Sequence, residues 1–450
     1  MIPEIDRPTA GLVRIPPGMD VPLSPRVRRL LDTTVMKRLS EITQLGLVHL
    51  VYPGAKHSRL EHSLGVYRNA ILFLQSLGED ARFRQLVTVR GAEAFVLAAL
   101  LHDAGHWPYC HAIEDMRLAS IPRHESRVEA IVARGEVADL IAQDWHCSGD
   151  DVLSLLAGRA VERTSLSSGE VEFLASCISG PVDVDKLDYL VRDSLHAGVP
   201  YGRNFDAARL LASLTVHPER PRLSITDKGR TAAEMMVFSR YVMFSEVYWH
   251  HTVRAATAML QRLVFELQTH LDITAMLDWD DATWIRQVTS IAEGKEASTL
   301  AKGLFGPSRR LYKRAAEFNI LERAGLHRGL AHRPYWWLVA CGDELARIVS
   351  RQLHVPVGAV ELLLDAPPVK LEVDINMDVV GRGGVARGGE VHKLGDVSPV
   401  AHVLAHQQFD GHVKRVRVFV SPHLREAVAE LLEDDRWIQE AVETINREVV

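Results

Sequence analysis

The chain has little of what marks several large protein classes. Its 450 residues include four cysteines, Cys110, Cys147, Cys177 and Cys341, far apart and without a CxxC pair. That excludes a disulfide framework and a thiolate zinc ribbon, and it leads us to expect a reduced, cytoplasmic setting. No apolar run approaches the length of a membrane span, so no membrane partner is expected. The opening stretch "MIPEIDRPTAGLVRIPPGMD" lacks an apolar signal core. A net charge of −6 argues against a broad basic surface, so nucleic acid is a partner that the sequence does not favour. The glycine-rich "GRGGVARGGE" at 381–390 lacks the Gly-Lys-Ser/Thr ending of a phosphate-cradling loop and reads as a connector. A hydrophobic content of 47% with 24% charged residues leaves an ordinary soluble globular composition, long enough for a large core and two lobes.

Apolar periodicity organises the chain. After an N-terminal extension (1–24), residues 25–290 read as successive helices, among them "SLGVYRNAILFLQSL", "AEAFVLAALLHD" and one long helix from "TAAEMMVFSRYVMF" through "LVFELQTHL". Within that region "LVHLVYP" and "RLSITD" look like strands. Beyond residue 290 "VKLEVDINMDVV" and "HVKRVRVFV" resemble strands, and "SPHLREAVAELLEDDRWIQEAVETI" a helix capped by Ser421. The expected fold class is mainly α: a helical core (25–290) and a smaller α+β C-terminal lobe (291–450).

Three segments carry chemistry. "HSRLEHSLGVYRNA" brings Arg59 and His62; "ALLHDAGHWPYCHAIED" brings His102, Asp103, His106, His111 and Glu114; "VDVDKLDYLVRDSLHAGV" brings Asp183, Asp185, Lys186, Asp188, Tyr189 and Asp193. His62 opens a helix with a core-facing stripe. His102, Asp103 and His106 are spaced to lie along one helical side at the end of a run that is apolar on nearly every face, where unpaired polar groups would cost several kcal/mol, roughly 2–7 each. Asp185, Tyr189 and Asp193 repeat every fourth residue on one face. Two imidazoles and two carboxylates from these segments make a mixed N/O set suited to Mn, Fe, Ni or Zn and less well to Mg.

Taken together, these segments resemble the HD-domain phosphohydrolases, whose ligand pattern is H…HD…D, and more closely the deoxynucleoside triphosphate triphosphohydrolases. The likeness runs from "DTTVMKRLSEITQLGLVHLVYPGAKHSRLEHSLGV" through "HESRVEAIV" and "VDVDKLDYLVRD", covering about residues 25–260. It implies one divalent ion held by His62, His102, Asp103 and Asp185, with His106 and His124 serving the chemistry and Glu114 supporting them. It further implies that His111 and Arg59 approach the inner phosphates and that Lys186 and Arg240 hold the triphosphate tail. Gln44 and Asp193 would grip the sugar 3′-hydroxyl, Tyr189 would pack on the deoxyribose, and Tyr248 and His250 would lie near the base. The implied reaction releases a deoxynucleoside and inorganic triphosphate from a dNTP, in a homo-oligomer. Asp32 stands where the family reads a nucleotide activator, but Lys37, Ser40 and Thr226 replace a glutamine and two arginines there, and Phe244 replaces a pocket histidine. These departures count against an activator and leave base preference open.

Other readings stay in view. The four ligands could be a buried hydrogen-bond network, and His106 and His124 could only orient neighbours. The enzyme could act on other nucleotides or phosphate esters, although the absence of a Gly-Tyr-Pro motif disfavours cyclic dinucleotides. A non-catalytic nucleotide sensor or nucleic-acid-binding scaffold is the rival from another class.

Overall fold

The computed structural model describes residues 2–6, 11–368, 375–381 and 390–448. Helices dominate it, as expected. A central pair comprises α1 (Arg59–Leu77) and α2 (Val89–Leu101). Ser58 caps α1 by accepting from the Glu61 amide, and Thr88 caps α2 through Gly91. Residues 94–101 of α2 are fully buried, which explains why this stretch of the helix is apolar all round. Two short elements follow, α3 (Cys110–Glu114) and α4 (His124–Ala133). Helix α5 (Val184–Ala197) starts at Asp183, whose carboxylate accepts from the Lys186 amide at 2.7 Å, and stops at Gly198 with φ 71°. Helix α1 packs on both α2 and α5, so the three chemistry-bearing segments meet around it.

The long helix expected from residue 231 onward is broken. Helix α6 (Arg230–Met243) passes into a π turn at Phe244–Tyr248, and α7 (His251–Leu267) restarts after Trp249. "LVHLVYP" is not a strand: Gly46–Leu50 forms a 3-10 turn with Leu47 and Val48 buried and Gly46 at φ 50°. The C-terminal segment is not one helix either. A turn at Pro422–Leu424 and a short helix, Arg425–Leu431, precede the final helix Arg436–Glu448, and the Ser421 hydroxyl meets His423 Nδ1 instead of capping.

Nine strands form three small sheets among the described residues. β1 (Leu12–Ile15) pairs with β2 (Met19–Pro22). β3 (Leu214–Val216) and β4 (Leu223–Thr226) are antiparallel. β5 (Lys313–Phe318), β9 (Val416–Val420) and β6 (Leu362–Asp365) make an antiparallel sheet in that order. It packs with the helices Tyr335–Leu353 and Arg436–Glu448 around a core of its own. β7 (Asp378–Val380) lies parallel to β4, and β8 (Val391–Lys393) closes that sheet. The late chain thus returns to the first region across the expected boundary near 290. Residues 369–374 of the expected strand and 382–389 of the glycine-rich connector fall outside the described residues. Among the described residues no helix is long and apolar enough to cross a membrane.

A buried ionic knot ties the N-terminal segment to α2. Arg26 donates to Glu93 at 2.6 Å and to Glu4 at 2.7 Å, its guanidinium lying 3.7 Å from the Trp145 ring. Burial alone would raise the Glu93 carboxyl, but hydrogen bonds from Arg26 and His146 hold it below the ordinary 4.5. A carboxylate depressed in the folded state contributes stability above its unfolded value and loses it as pH falls through the folded one. Melting temperature is therefore expected to fall on acidification below about 4.5, with a flatter acid limb in Glu93→Gln. An unaltered acid limb would dissociate the knot from acid lability.

Candidate active site

The first turn of α1 carries His62, 1% exposed. Its Nδ1 donates to Asp188 Oδ2 at 2.9 Å, which turns the bare Nε2 toward Asp185 Oδ1 at 3.1 Å and His102 Nε2 at 3.3 Å. Helix α2 ends at Leu101, so His102, Asp103 and His106 lie on the turn beyond it, not along a helical side as the spacing suggested. That turn brings His102 back over its own helix, where Nδ1 donates to the Ala99 carbonyl at 2.9 Å and Nε2 is left bare. Asp103 Oδ1 stands 3.3 Å from His102 Nε2, and its Oδ2 accepts from Arg59 at 2.7 Å. Two ring nitrogens and two carboxylate oxygens therefore converge on one point.

A divalent ion relieves such a convergence, and the residues fit one. The ligand atoms of His62, His102 and Asp103 lie within 4.8 Å of one another, and Asp185 Oδ1 completes an N₂O₂ set. Without an ion a proton takes its place. Burial opposes charging His62, but hydrogen bonds to Asp185 and Asp188 push it up to about 10. Burial would raise Asp185, yet the His62 hydrogen bond and the charges of His62, His102 and Lys186 hold it at about 2.

Beside this set lies a histidine cluster. His106 Nε2 faces His111 Nε2 at 3.3 Å, and the His124 ring is 4.0 Å from the His106 ring. Burial and the nearby Arg59 charge push His106 well below its ordinary value, so its ring is neutral. His124 starts α4, and Glu114 accepts from both its amide (2.6 Å) and its Nδ1 (2.9 Å). Gly105 allows α4 to come this close: a Cβ there would stand 2.3 Å from the His124 carbonyl.

From Asp185 a stripe runs along α5 through Tyr189 to Asp193, about 12 Å at 1.5 Å per residue. Lys186 donates to Asp183 at 2.6 Å, and the Tyr189 hydroxyl accepts from Arg240 at 3.1 Å. Asp193 Oδ2 accepts from the Tyr248 hydroxyl at 2.6 Å and Oδ1 from His57 Nε2 at 2.9 Å. The Gln44 backbone N–H donates to the His57 carbonyl, while the side-chain Oε1 is buried without a partner among the described residues. His250 stands apart from this stripe. It caps α7 through the Thr252 amide beside Tyr52 and His251.

Sequence reasoning assigned no role to the supports. Asp188 also accepts from Arg192 at 2.8 and 2.7 Å, and both are 2% exposed or less. Arg192 continues to Glu61 at 2.7 Å, and Glu61 to His196 at 2.8 Å. Gly65 admits this pair against α1, since a Cβ there would lie 1.8 Å from Asp188 Oδ1. The one signal available was the spacing of Asp188, three residues after Asp185 and four before Arg192.

A mainly helical body thus converges two imidazoles and two carboxylates beside a histidine cluster, in the H…HD…D order of the HD-domain phosphohydrolases. The family model for the HD associated region matches residues 205–443, more than half of the chain, and the chain belongs to that family within the HD-domain phosphohydrolase superfamily. The ligand set lies N-terminal to the matched stretch. The chain is similar to an uncharacterized protein of Methanocaldococcus jannaschii, 28% identical over 86% of this chain and 74% of the relative. It also resembles the deoxynucleoside triphosphate triphosphohydrolase SAMHD1 of Danio rerio, 28% identical over 56% of this chain, and spans 44% of that enzyme's length. A solved hypothetical protein from Aquifex aeolicus superposes with a TM-score of 0.70 at 26% identity, covering 94% of this chain and 99% of the other.

Proposed function

We propose that this chain is a metal-dependent hydrolase of deoxynucleoside triphosphates, yielding deoxynucleoside and inorganic triphosphate. The observation that carries the reading is the convergence of His62, His102, Asp103 and Asp185 next to His106, His124 and Glu114. A divalent ion in that set supplies Lewis-acid polarisation of phosphoryl oxygens. Around it, Arg59 and His111 face the inner phosphates, and Lys186 and Arg240 neutralise the tail. Glu114 fixes the proton on His124 Nδ1 and leaves Nε2 as the position that exchanges a proton with the leaving 5′-oxygen. Water adds to the α-phosphorus, the bond to the sugar oxygen breaks, and that oxygen leaves protonated. Gln44 and Asp193 hold the 3′-hydroxyl, Tyr189 packs on the sugar, and Tyr248 borders the base, with His250 at the outer edge.

Likeness to the triphosphohydrolases supports this substrate class and a homo-oligomer. Four unpaired cysteines fit a reducing cytoplasmic compartment. The departures at Lys37, Ser40 and Thr226 support activity without a nucleotide activator. The test incubates purified protein with each dNTP alone and all four together, with Mn, Fe(II), Mg or Zn, and separates the products. Deoxynucleoside plus triphosphate from single dNTPs is the expected outcome. Release of phosphate or pyrophosphate would point to another phosphohydrolase activity; bound nucleotide without products would point to a sensor.

A further inference from the structure

We infer that His57 is a positioning residue that holds both members of the sugar clamp, an inference that rests on the substrate reading above. His57 lies on the extended stretch before α1, is 4% exposed, and touches Gln44 and Asp193 with different parts of itself. Its backbone carbonyl accepts from the Gln44 backbone N–H at 2.9 Å, and its Nε2 donates to Asp193 Oδ1 at 2.9 Å. The two residues come from segments about 150 residues apart, and His57 meets the first through its backbone and the second through its ring.

The His57 ring is itself fixed. It stacks on His196 with ring centroids 4.4 Å apart and planes within 17°. His196 is held by Glu61 at 2.8 Å, and Glu61 by Arg192, which also donates to the Asp188 that orients His62. One buried frame thus carries the metal ligand at one end and the clamp at the other. The Nδ1 of His57 has no partner among the described residues, which leaves the Asp193 contact as the polar use of this ring. With Oδ1 tied to His57, the carboxylate presents Oδ2, the oxygen that Tyr248 now occupies at 2.6 Å, toward the nucleotide side. Gln44 Oε1, buried and without a partner among the described residues, is the matching acceptor across the gap.

The test compares kcat/KM for a dNTP and its 2′,3′-dideoxy counterpart in the full-length wild type and in three variants. His57→Phe keeps a stacking ring without the donor. His57→Asn offers an amide at the Nδ1 position, and His57→Gln offers one at the Nε2 position. In the wild type, loss of the 3′-hydroxyl is expected to cost about 10- to 100-fold, the worth of a hydrogen bond to a charged group. In His57→Phe and His57→Asn that ratio collapses toward one, with KM raised more than kcat is lowered, and His57→Gln restores it. Melting temperature and metal content identify a variant that has lost its fold, and Asn carries the test if Phe has. An unchanged ratio in a folded, metal-loaded Phe or Asn variant overturns the inference while leaving the substrate reading intact. A wild type that hydrolyses neither nucleotide overturns both.

Discussion

His124→Ala is expected to lower kcat about 10²- to 10⁴-fold, the range for a proton-transferring side chain, with metal content unchanged. The His124 ring contacts His106 and Glu114, whereas the ligand atoms converge between α1, α5 and the turn after α2. His102→Ala acts at a different point. It deletes one of two bare ring nitrogens 3.3 Å apart, so metal and turnover are lost together. The two variants separate proton transfer from ligation: kcat against metal content per chain, measured after dialysis, should show His124→Ala loaded but slow and His102→Ala empty and inactive. Glu114→Gln is the graded companion. It keeps an acceptor for His124 Nδ1 but removes the charge, and a smaller loss than His124→Ala is expected. If His124→Ala also empties the site, His124 belongs to the ligand shell and its assignment as proton donor fails.

What was legible in the sequence follows the distance over which each feature is decided. His62, His102, Asp103 and Asp185 could be found because each lies in a local pattern, and the structure brings their ligand atoms together. The helical placement of His102 and His106 failed because the turn after Leu101 is set by the pull of His102 Nδ1 on Ala99 and by close packing at Gly105, neither of which interrupts an apolar period. The break between α6 and α7 was invisible for a similar reason. No proline or glycine marks residues 244–250. Tertiary hydrogen bonds hold the π turn, from Tyr248 to Asp193 and from Tyr52 to the Glu246 carbonyl. The apolar run at 47–51 has strand propensity, but Leu47 and Val48 are buried in a 3-10 turn, an instance of packing overriding a weak local preference. Asp188 and His57 lie 126 and 136 residues from the partners they serve, His62 and Asp193. No spacing rule reaches that far.

The frame behind the ligands carries the second large effect. Asp188→Ala removes the acceptor that fixes the proton of His62 on Nδ1, so the proton is free to occupy Nε2, the ligating position. Loss of such a support costs about 10- to 100-fold in metal affinity. The same change strips a buried guanidinium of two hydrogen bonds, since Arg192 is 1% exposed and keeps Glu61 and the Pro16 carbonyl alone. Breaking a buried pair on one side costs about 3–5 kcal/mol, enough to lower the melting point by many degrees. The two effects can be pulled apart. Asp188→Leu with Arg192→Met replaces the pair by apolar groups of similar size, which is often neutral for stability, yet leaves His62 without its acceptor. That double variant should regain much of the melting temperature of the wild type while remaining weak in metal binding, measured by competition with a chelator. Asp188→Asn should fall between, because its amide oxygen still accepts from Nδ1 but no longer attracts the proton there. Metal affinity unchanged in the folded double variant would mean that Asp185 and His102 alone align His62, and Asp188 would then be a packing partner of Arg192 with no part in the site.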